Sequence, residues 1–400
     1  MAGLRQRLTD AAQIAPGGRS CGRDGSSDAG AGGTTVSARA SLGGVDPAGL
    51  RAHFPVFERL AFLNAGTCGP IPEAAVRAAA ETMALAAAEG RAHAYFTRML
   101  ELRGELRARY AALLGAQADD VAVTTCTSEG VVRVLAGLDL RAGDEILTSV
   151  GEHPGLLGPL AAARTQRGVT VRAVALEQIP GAVSAATRLV ACSHVSWIDG
   201  AIVPELGGLE VPVLLDGAQG VGAIAVDVAA LGCTFYAGSG QKWLCGPVAT
   251  GMLWVASQWR ERLLATGPTY LNLDDPSAGL DAVAHRTAAR HDASAQSAEA
   301  AAAAAAALDV LAQFGWSAVH ERAATLAQTL ADGLARRGLA VAPRDRTTLV
   351  SWQDPDPPAT RARLADVEVI IRDLPGTGLL RASVGAWNDE SDLERLLSAL

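Results

Sequence analysis

The sequence predicts an α/β protein: a large domain built on a mixed, mostly parallel sheet with helices on both faces, and a smaller C-terminal α+β domain. Apolar runs of four to six residues recur along the chain, and stretches of helical periodicity separate them. Runs that are apolar throughout are typical of parallel strands buried on both faces. After residue 290 a second set of helix and strand patterns predicts the smaller domain.

The chain divides into an N-terminal tail and two domains. Residues 1–45 are rich in Gly, Ala and Ser, and we expect a disordered tail there, too polar around residues 8–15 for a signal peptide. The large domain then covers 46–290 and the small domain 291–400. Residues 61–72 predict a short strand and a Gly/Pro loop, and we expect the segment 46–72 to pack on the small domain.

The elements of the large domain follow from the periodicity. Residues 73–114 predict two helices. Beyond them the pattern predicts strands at 121–125, 145–148, 169–174, 188–193, 211–215, 234–237 and 251–255, with helices near 130–138 and 156–166. In the small domain it predicts helices at 297–314, 318–337, 360–365 and 390–400 and strands at 339–342, 349–352 and 368–371.

Composition excludes several classes of function. The net charge is −8 and the arginines are scattered, which argues against binding to nucleic acid or to an acidic membrane surface. No apolar run is long enough to cross a bilayer, so we expect no membrane span. We expect the cysteines to be reduced, mostly buried thiols of a cytoplasmic protein. The six cysteines have no metal-binding spacing, and no Gly-x-Gly-x-x-Gly follows a strand, so we expect neither a metal site nor a dinucleotide site.

One residue stands out in the composition. Lys242 is the only lysine among 34 basic side chains, and it lies in the segment Ser239-Gly-Gln-Lys-Trp243. Lysine and arginine are interchangeable as surface cations, but only the lysine amine deprotonates readily and attacks a carbonyl. The alternative is that Lys242 was retained by chance in a chain whose composition favours arginine over lysine. The neighbouring motifs make this alternative the weaker one.

Three polar clusters follow predicted strands. Asp216 and Gln219 follow the run 211–215, Thr127 and Ser128 lie at a strand-to-helix turn, and His153 lies on a loop after a strand. Helix capping explains such residues equally well when each is taken alone. Together with Lys242 they supply an amine, an acid for a heterocyclic nitrogen, a phosphate cradle and an aromatic ring, which is what pyridoxal 5′-phosphate requires.

With these motifs the chain resembles the class V aminotransferase family of fold-type I pyridoxal phosphate enzymes over about residues 50–400. The family includes cysteine desulfurases, cystine C–S lyases and isopenicillin N epimerase. The resemblance implies that Lys242 is the Schiff-base lysine and catalytic base, and that Asp216 pairs with the pyridinium nitrogen. It implies that Gln219 donates a hydrogen bond to the ring hydroxyl, and that His153 stacks on the ring and takes part in catalysis.

The resemblance also implies how phosphate and substrate are held. Thr127, Ser128 and Ser239 match phosphate ligands, and Gln241 stands beside the lysine where many relatives have His. Substrate contacts are implied for Arg381, Asn64 and Trp197, with Arg381 binding the substrate carboxylate. Relatives are homodimers with the site at the subunit interface, so a homodimer is expected.

Departures from the family pattern bear on the reaction. The segment 367–378 lacks the mobile nucleophilic cysteine of desulfurases, and no cysteine occurs after Cys245. The family threonine that reaches the partner's phosphate is replaced by Ala295, with Ser294 or Ser297 as possible substitutes. The segments 144–155 and 193–197 look most like cystine C–S lyases, including Trp197 in place of the desulfurase Asn.

We therefore expect a C–S lyase that acts on cysteine, cystine or a cysteine conjugate by β-elimination. Transamination, epimerisation and desulfurase-like chemistry in secondary metabolism are alternatives, because the fate of the carbanion depends on the pocket. A non-catalytic binding or regulatory protein with the same fold is an alternative from another class.

Overall fold

The computed structural model describes residues 46–400, and the predicted tail at 1–45 lies outside the described residues. The α-helices are α1 (Pro47–Ala52), α2 (Glu73–Glu89), α3 (His93–Leu113), α4 (Thr127–Gly137), α5 (Pro154–Arg167), α6 (Ile179–Ala182), α7 (Ala298–Ala312), α8 (Trp316–Arg336), α9 (Pro357–Asp366) and α10 (Glu390–Ala399). The strands are β1 (Ala61–Phe62), β2 (Val121–Thr124), β3 (Glu145–Ser149), β4 (Thr170–Val174), β5 (Thr187–Ser193), β6 (Val213–Asp216), β7 (Phe235–Ser239), β8 (Gly251–Val255), β9 (Leu349–Gln353), β10 (Val369–Ile370), β11 (Arg372–Leu374) and β12 (Leu379–Ser383).

The largest sheet has seven strands in the order β2-β8-β7-β6-β5-β3-β4. All of them run in one direction except β8, which is antiparallel to both of its neighbours. Every residue of β6 and β7 is buried, because helices cover both faces of the sheet. The predicted mixed, mostly parallel sheet is thus confirmed.

Successive residues of β6 show the two faces. Leu214 belongs to the same buried cluster as Val131 of α4 and Leu156 of α5, whereas Leu215 belongs to the cluster that contains Leu106 of α3. The alternation follows from the period of two along a strand. Helices α4 and α5 therefore cover one face, and α3 with α7 covers the other.

Two small sheets lie in the C-terminal part. Strands β11, β12 and β9 form an antiparallel sheet, and β10 pairs in parallel with β1 from the N-terminal segment. The N-terminal segment is also held by an ion pair between Arg51 and Asp392, whose Nη1 and Oδ2 atoms are 2.7 Å apart. Residues 46–72 thus contact the C-terminal sheets directly.

Several predicted elements differ from the observed ones. No strand forms at 339–342, where only Val341 bridges to Trp352; Pro343 follows, and proline restricts the residue before it and donates no hydrogen bond. The predicted strand 368–371 is shorter in the structure, where only Val369–Ile370 forms β10; β11 follows at Arg372–Leu374 and belongs to a different sheet. Helix α4 begins at Thr127 instead of near 130, because its first turn is polar and gives no apolar signal.

Among the described helices, none alone is long and apolar enough to cross a membrane. The consecutive helices α7 and α8 meet the length and composition criteria only as a pair, with a bend of 79° between them.

Candidate active site

The candidate site lies at the edge of the large sheet where the parallel strands end. Because these strands run in the same direction, the residues after them meet at one edge. The predicted residues there are Thr127 and Ser128 after β2, His153 after β3, Trp197 after β5, Asp216 and Gln219 at the end of β6, and Ser239, Gln241 and Lys242 at the end of β7. The topology therefore brings together residues that are far apart in the chain.

Lys242 and Asp216 form the electrostatic centre of this edge. Burial lowers the pKa of Lys242 to about 8; the charge of Asp216 opposes this shift, and Arg381 and Arg372 add to it. Asp216 is 6% exposed, and its Oδ1 accepts a hydrogen bond from the Ala218 amide at 3.0 Å. Burial raises the pKa of Asp216, although the amine of Lys242 acts against that rise.

A place for an anion is formed where β2 and β7 end. The Thr127 amide donates to Ser239 Oγ at 3.1 Å, and the two hydroxyl oxygens are 2.6 Å apart. Helix α4 starts here, and its N-cap residue, Cys126, makes no side-chain capping bond. Free amides and the positive end of the helix dipole favour an anion at such a position.

Ser128 faces the start of the neighbouring helix α5. A Cβ atom built on Gly155 would lie 2.6 Å from Ser128 Oγ. The N-terminal ends of α4 and α5 are thus side by side at the strand-end edge. The predicted phosphate ligands Thr127, Ser128 and Ser239 lie together.

His153 is the N-cap of α5 and has a defined tautomer. Its Nδ1 accepts a hydrogen bond from the Gly155 amide at 3.0 Å, which leaves the proton of the neutral ring on Nε2. Burial, aided by the charges of Lys242, Arg372 and Arg381, lowers its pKa to about 4. The ring is therefore neutral at pH 7.

The indole ring of Trp197 packs perpendicular to the imidazole ring of His153. The two rings meet edge to face with centroids 5.1 Å apart, and Trp197 Nε1 donates to the Gly151 carbonyl at 2.8 Å. A perpendicular contact with one ring covers at most one of the two faces of the imidazole. Such an arrangement suits an aromatic ligand stacked on His153.

The loop at residues 64–69 closes the site from the other side. Gln219 Nε2 donates to the Gly66 carbonyl at 2.8 Å, and Gln219 Oε1 accepts from Trp243 Nε1 at 3.0 Å. Asn64 Oδ1 accepts from the Thr67 hydroxyl at 2.8 Å. One amide hydrogen of Gln219 remains for a ligand.

Arg381 is buried beneath this loop with spare donors. It is 0% exposed, and its Nη1 donates to the Trp197 carbonyl at 2.6 Å. Its Nε and Nη2 are buried without a hydrogen-bond partner among the described residues. A Cβ atom added to Gly66 would lie 3.0 Å from that Nη2, so the free donor points at the loop. A buried guanidinium with unused donors fits a carboxylate ligand.

Two further charged residues of the site were not predicted. Arg372 lies directly opposite Arg381 on β11, and its Nη1 is 3.3 Å from the Thr67 hydroxyl. Glu152, beside His153, is 4% exposed and accepts from the Ser193 amide at 2.8 Å and from the hydroxyl of Ser149. The sequence offered only a weak signal for each: an arginine in a short strand, and an acid beside a predicted site histidine.

Other predicted residues have different surroundings. Gln241 Oε1 is buried without a partner among the described residues, and its backbone oxygen accepts from the Gly69 amide. Ala295 is exposed, and Ser297 Oγ caps α7 by accepting from the Ala300 amide at 3.0 Å. Ser294 is also exposed. No group of three or more His, Cys, Asp or Glu within residues 46–400 is placed to hold a metal.

Comparison with known proteins adds to this geometry. The model of the family described as Aminotransferase class-V matches residues 61–354. A probable cysteine desulfurase of Methanothermobacter thermautotrophicus is 32% identical over 245 residues, which are 56% of this chain and 61% of that protein. A probable cysteine desulfurase of Pseudomonas aeruginosa is 31% identical over 70% of this chain and 77% of its own. An isopenicillin N epimerase of Streptomyces clavuligerus is 26% identical over 84% and 93%.

Solved structures show the same fold. The cystine C-S lyase C-DES in complex with its reaction product cysteine persulfide superposes with a TM-score of 0.81 at 24% identity, over 86% of this chain and 98% of that one. A mutant of C-DES with glycine covalently linked to the PLP cofactor gives a TM-score of 0.82, over 87% and 98%.

Proposed function

Because this chain belongs to the class V aminotransferase family, whose enzymes depend on pyridoxal phosphate, we propose that it is a C–S lyase acting on cysteine, cystine or a cysteine conjugate. The observation that carries the substrate class is Arg381, whose buried and unpartnered donors lie at the same site as Lys242 and Asp216. An α-amino acid brings a carboxylate to that guanidinium.

The residues present fit the cofactor. Lys242 supplies the amine for the covalent link, and Asp216 supplies a buried carboxylate for the ring nitrogen. The Thr127 and Ser239 pair and the free amides of α4 suit the phosphate. The cofactor, when bound, stores the electrons left on the substrate Cα after proton loss.

The chain's own groups then have defined tasks. Arg381 binds the substrate carboxylate and thereby orients Cα. The amine of Lys242, with a pKa near 8, is deprotonated often enough at neutral pH to accept the Cα proton. Asp216 keeps a proton on the ring nitrogen. β-Elimination then releases the sulfur group, and pyruvate and ammonia follow by hydrolysis.

The segment after residue 366 favours elimination over direct desulfuration. It contains β10, β11 and the turn before β12, and it carries no cysteine. A thiolate on this segment would be needed to take sulfur by the route that the family resemblance implies for desulfurases. No cysteine occurs within residues 246–400.

A second candidate is epimerisation or transamination of an amino acid. The similarity to isopenicillin N epimerase extends over 379 residues and 93% of that protein, so this outcome has support of its own. The same site would serve it, since all these reactions begin with loss of the Cα proton. Product analysis separates them.

We also propose a homodimer. Helices α2 and α3 expose large apolar side chains, among them Val76, Met83, Leu85, Phe96 and Leu100, each about half exposed. Exposed apolar side chains concentrated on two consecutive helices suit an interaction surface, and a second copy would cover them. Light scattering after size exclusion should give twice the chain mass, and a monomer at micromolar concentration would contradict this.

The lyase proposal is tested with purified protein and a panel of sulfur amino acids. We expect a near-visible absorbance band from the bound cofactor and pyruvate from cystine, cysteine or a cysteine conjugate. Lys242→Ala should lose both. Protein that keeps the band but forms no pyruvate, and instead racemises or transaminates the panel, would favour the second candidate.

A further inference from the structure

Cys68 lies on the loop that forms one wall of the site. Within residues 46–400 it is the exposed cysteine, whereas Cys192, Cys233 and Cys245 are buried. Its two neighbours in sequence are both fixed to site residues. Thr67 Oγ1 accepts from Arg372 Nη1 at 3.3 Å, and the Gly69 amide donates to the Gln241 carbonyl at 2.8 Å.

The position of the loop brings Cys68 close to Lys242. A Cβ atom added to Gly69 would lie 2.0 Å from the Lys242 carbonyl oxygen, so the two backbones are in contact. A negative charge on the Cys68 thiol raises the pKa of the Lys242 amine, as expected for neighbouring groups. The thiol therefore lies at the site and does not point to a remote surface.

A second observation shows what would bind beside this thiol. Arg381 is 0% exposed, and its unpartnered Nη2 is directed at Gly66, two residues from Cys68. Arg372, half-buried, adds a positive charge on the same side. A small molecule with a carboxylate and a second negative charge would be attracted to this corner and oriented there.

We propose that Cys68 accepts the outer sulfur of a persulfide formed in the site. The Cys68 thiolate attacks the terminal sulfur of cysteine persulfide, a new S–S bond forms on Cys68, and the original S–S bond breaks with its electron pair on the leaving cysteine thiolate. One persulfide is consumed and one is formed, so no oxidant or reductant is needed. The chain is thereby both a lyase and a carrier of sulfane sulfur.

This inference rests on the proposed function, because β-elimination from cystine makes cysteine persulfide. It adds a destination for the sulfur. The product keeps its carboxylate, so Arg381 can hold it while the sulfur is transferred. The buried cysteines cannot compete, since burial raises the pKa of each of them and favours the unreactive thiol.

The first experiment measures sulfur on the protein after turnover. Wild-type holoenzyme is incubated with cystine, and free thiols are then blocked. The mass of the Cys68 peptide is measured by mass spectrometry, and the amount of pyruvate formed is measured in the same sample. We expect that peptide to gain the mass of one sulfur atom. Cys68→Ser should lower protein-bound sulfur per pyruvate formed to the level of the Lys242→Ala blank, whereas Cys21→Ser should keep the wild-type ratio.

The second experiment does not depend on turnover. Cysteine persulfide and cysteamine persulfide, which lacks the carboxylate, are added separately to wild-type holoenzyme. We expect Cys68 to take sulfur from cysteine persulfide about tenfold faster, the effect of about one charge-assisted hydrogen bond. Arg381→Lys should reduce this preference, and Arg188→Lys, at the opposite end of β5, should not.

The outcomes separate the two proposals. Pyruvate from cystine without sulfur on Cys68, or equal labelling of all accessible thiols by both persulfides, overturns the acceptor role and leaves the lyase intact. Selective labelling of Cys68 by cysteine persulfide, with no pyruvate from cystine, supports the acceptor site and overturns the lyase.

Discussion

Arg372 and Arg381 lie directly opposite each other on two antiparallel strands, and within residues 46–400 their side chains donate to the Thr67 hydroxyl and the Trp197 carbonyl instead of to a carboxylate. Like charges in this position repel and destabilise the sheet. Burial, and then the charge of Arg372, lowers the pKa of Arg381 to about 9. The arrangement is understandable if an anionic ligand lies between the two guanidinium groups during function.

Replacing Arg381 by Met should weaken substrate binding without loss of the cofactor. The substitution removes the proposed buried charge pair with the substrate carboxylate, which costs about 2–5 kcal/mol, so kcat/KM should fall by roughly 30- to 4,000-fold. Steady-state kinetics and the cofactor absorbance band measure the two effects. Arg188→Met, an exposed arginine at the other end of β5, should behave like wild type. Equal kcat/KM in both variants would exclude Arg381 from substrate binding.

Cofactor incorporation should depend on the protonation of Lys242. Only the neutral amine attacks the aldehyde of the cofactor, and the pKa of Lys242 is lowered from 10.5 to about 8. The rate of incorporation into apoprotein should therefore rise with pH and level off above about 8. Stopped-flow absorbance at constant ionic strength gives the midpoint. A rate that still increases as pH approaches 10.5 would show that the amine is not perturbed.

His153 should contribute its ring and not its charge. Its pKa is lowered to about 4, so the imidazole is neutral across the working range of pH. His153→Phe should keep most of the cofactor affinity, whereas His153→Ala should lose up to about tenfold, as expected from an aromatic contact of about 0.5–1.5 kcal/mol. Both variants lose the N-cap bond to Gly155, and Ala also loses the ring contact with Trp197, so thermal stability should fall in both and further in His153→Ala. Cofactor titration compares the affinities of the two variants, which differ by the aromatic ring. Equal cofactor affinities would contradict the stacking role of His153.

The stability contributed by Glu152 should decrease as pH rises. Burial raises its pKa above 4.5, against the hydrogen bonds from Ser149 and Ser193, and the charge of Asp216 raises it further. Between 4.5 and the higher folded value the folded protein binds more protons than the unfolded chain, so stability is lost as pH increases through that window. Glu152→Gln removes this titration.

Thermal melts from pH 4.5 to neutrality should therefore show wild type losing stability relative to Glu152→Gln. The exposed Glu177→Gln variant serves as the control for a carboxylate outside the buried cluster. A wild-type advantage that grows with pH would contradict the raised pKa of Glu152.

Gly66→Ala should damage substrate binding through sterics alone. A Cβ atom there would lie 2.7 Å from Ser383 Oγ and 3.0 Å from Arg381 Nη2, so the loop or the guanidinium must move. We expect a higher KM with an unchanged cofactor band. Gly104→Ala, where a Cβ meets nothing within 4 Å, should leave the kinetics as they are. If the two variants have the same KM, the loop does not contact the substrate region.

The sequence predicted the large sheet and much of its functional edge. Apolar runs are local signals, and parallel strands place whatever follows them at one edge. Lys242, Asp216 and His153 could therefore be assigned to one region before the structure was known. The lone lysine was decisive because its chemistry has no substitute among the arginines.

The tertiary structure decided what surrounds those residues. The proximity of Cys68 to Lys242, the opposed pair Arg372 and Arg381, and the burial of Glu152 depend on a loop and two small sheets that pack against the strand-end edge. No periodicity records such contacts, because they join segments distant in sequence through packing and long-range hydrogen bonds. The sequence by itself thus predicted which amine and which acid the site would use. Only the packing of the N-terminal loop and the C-terminal sheet decided which charges and which thiol a substrate would meet there.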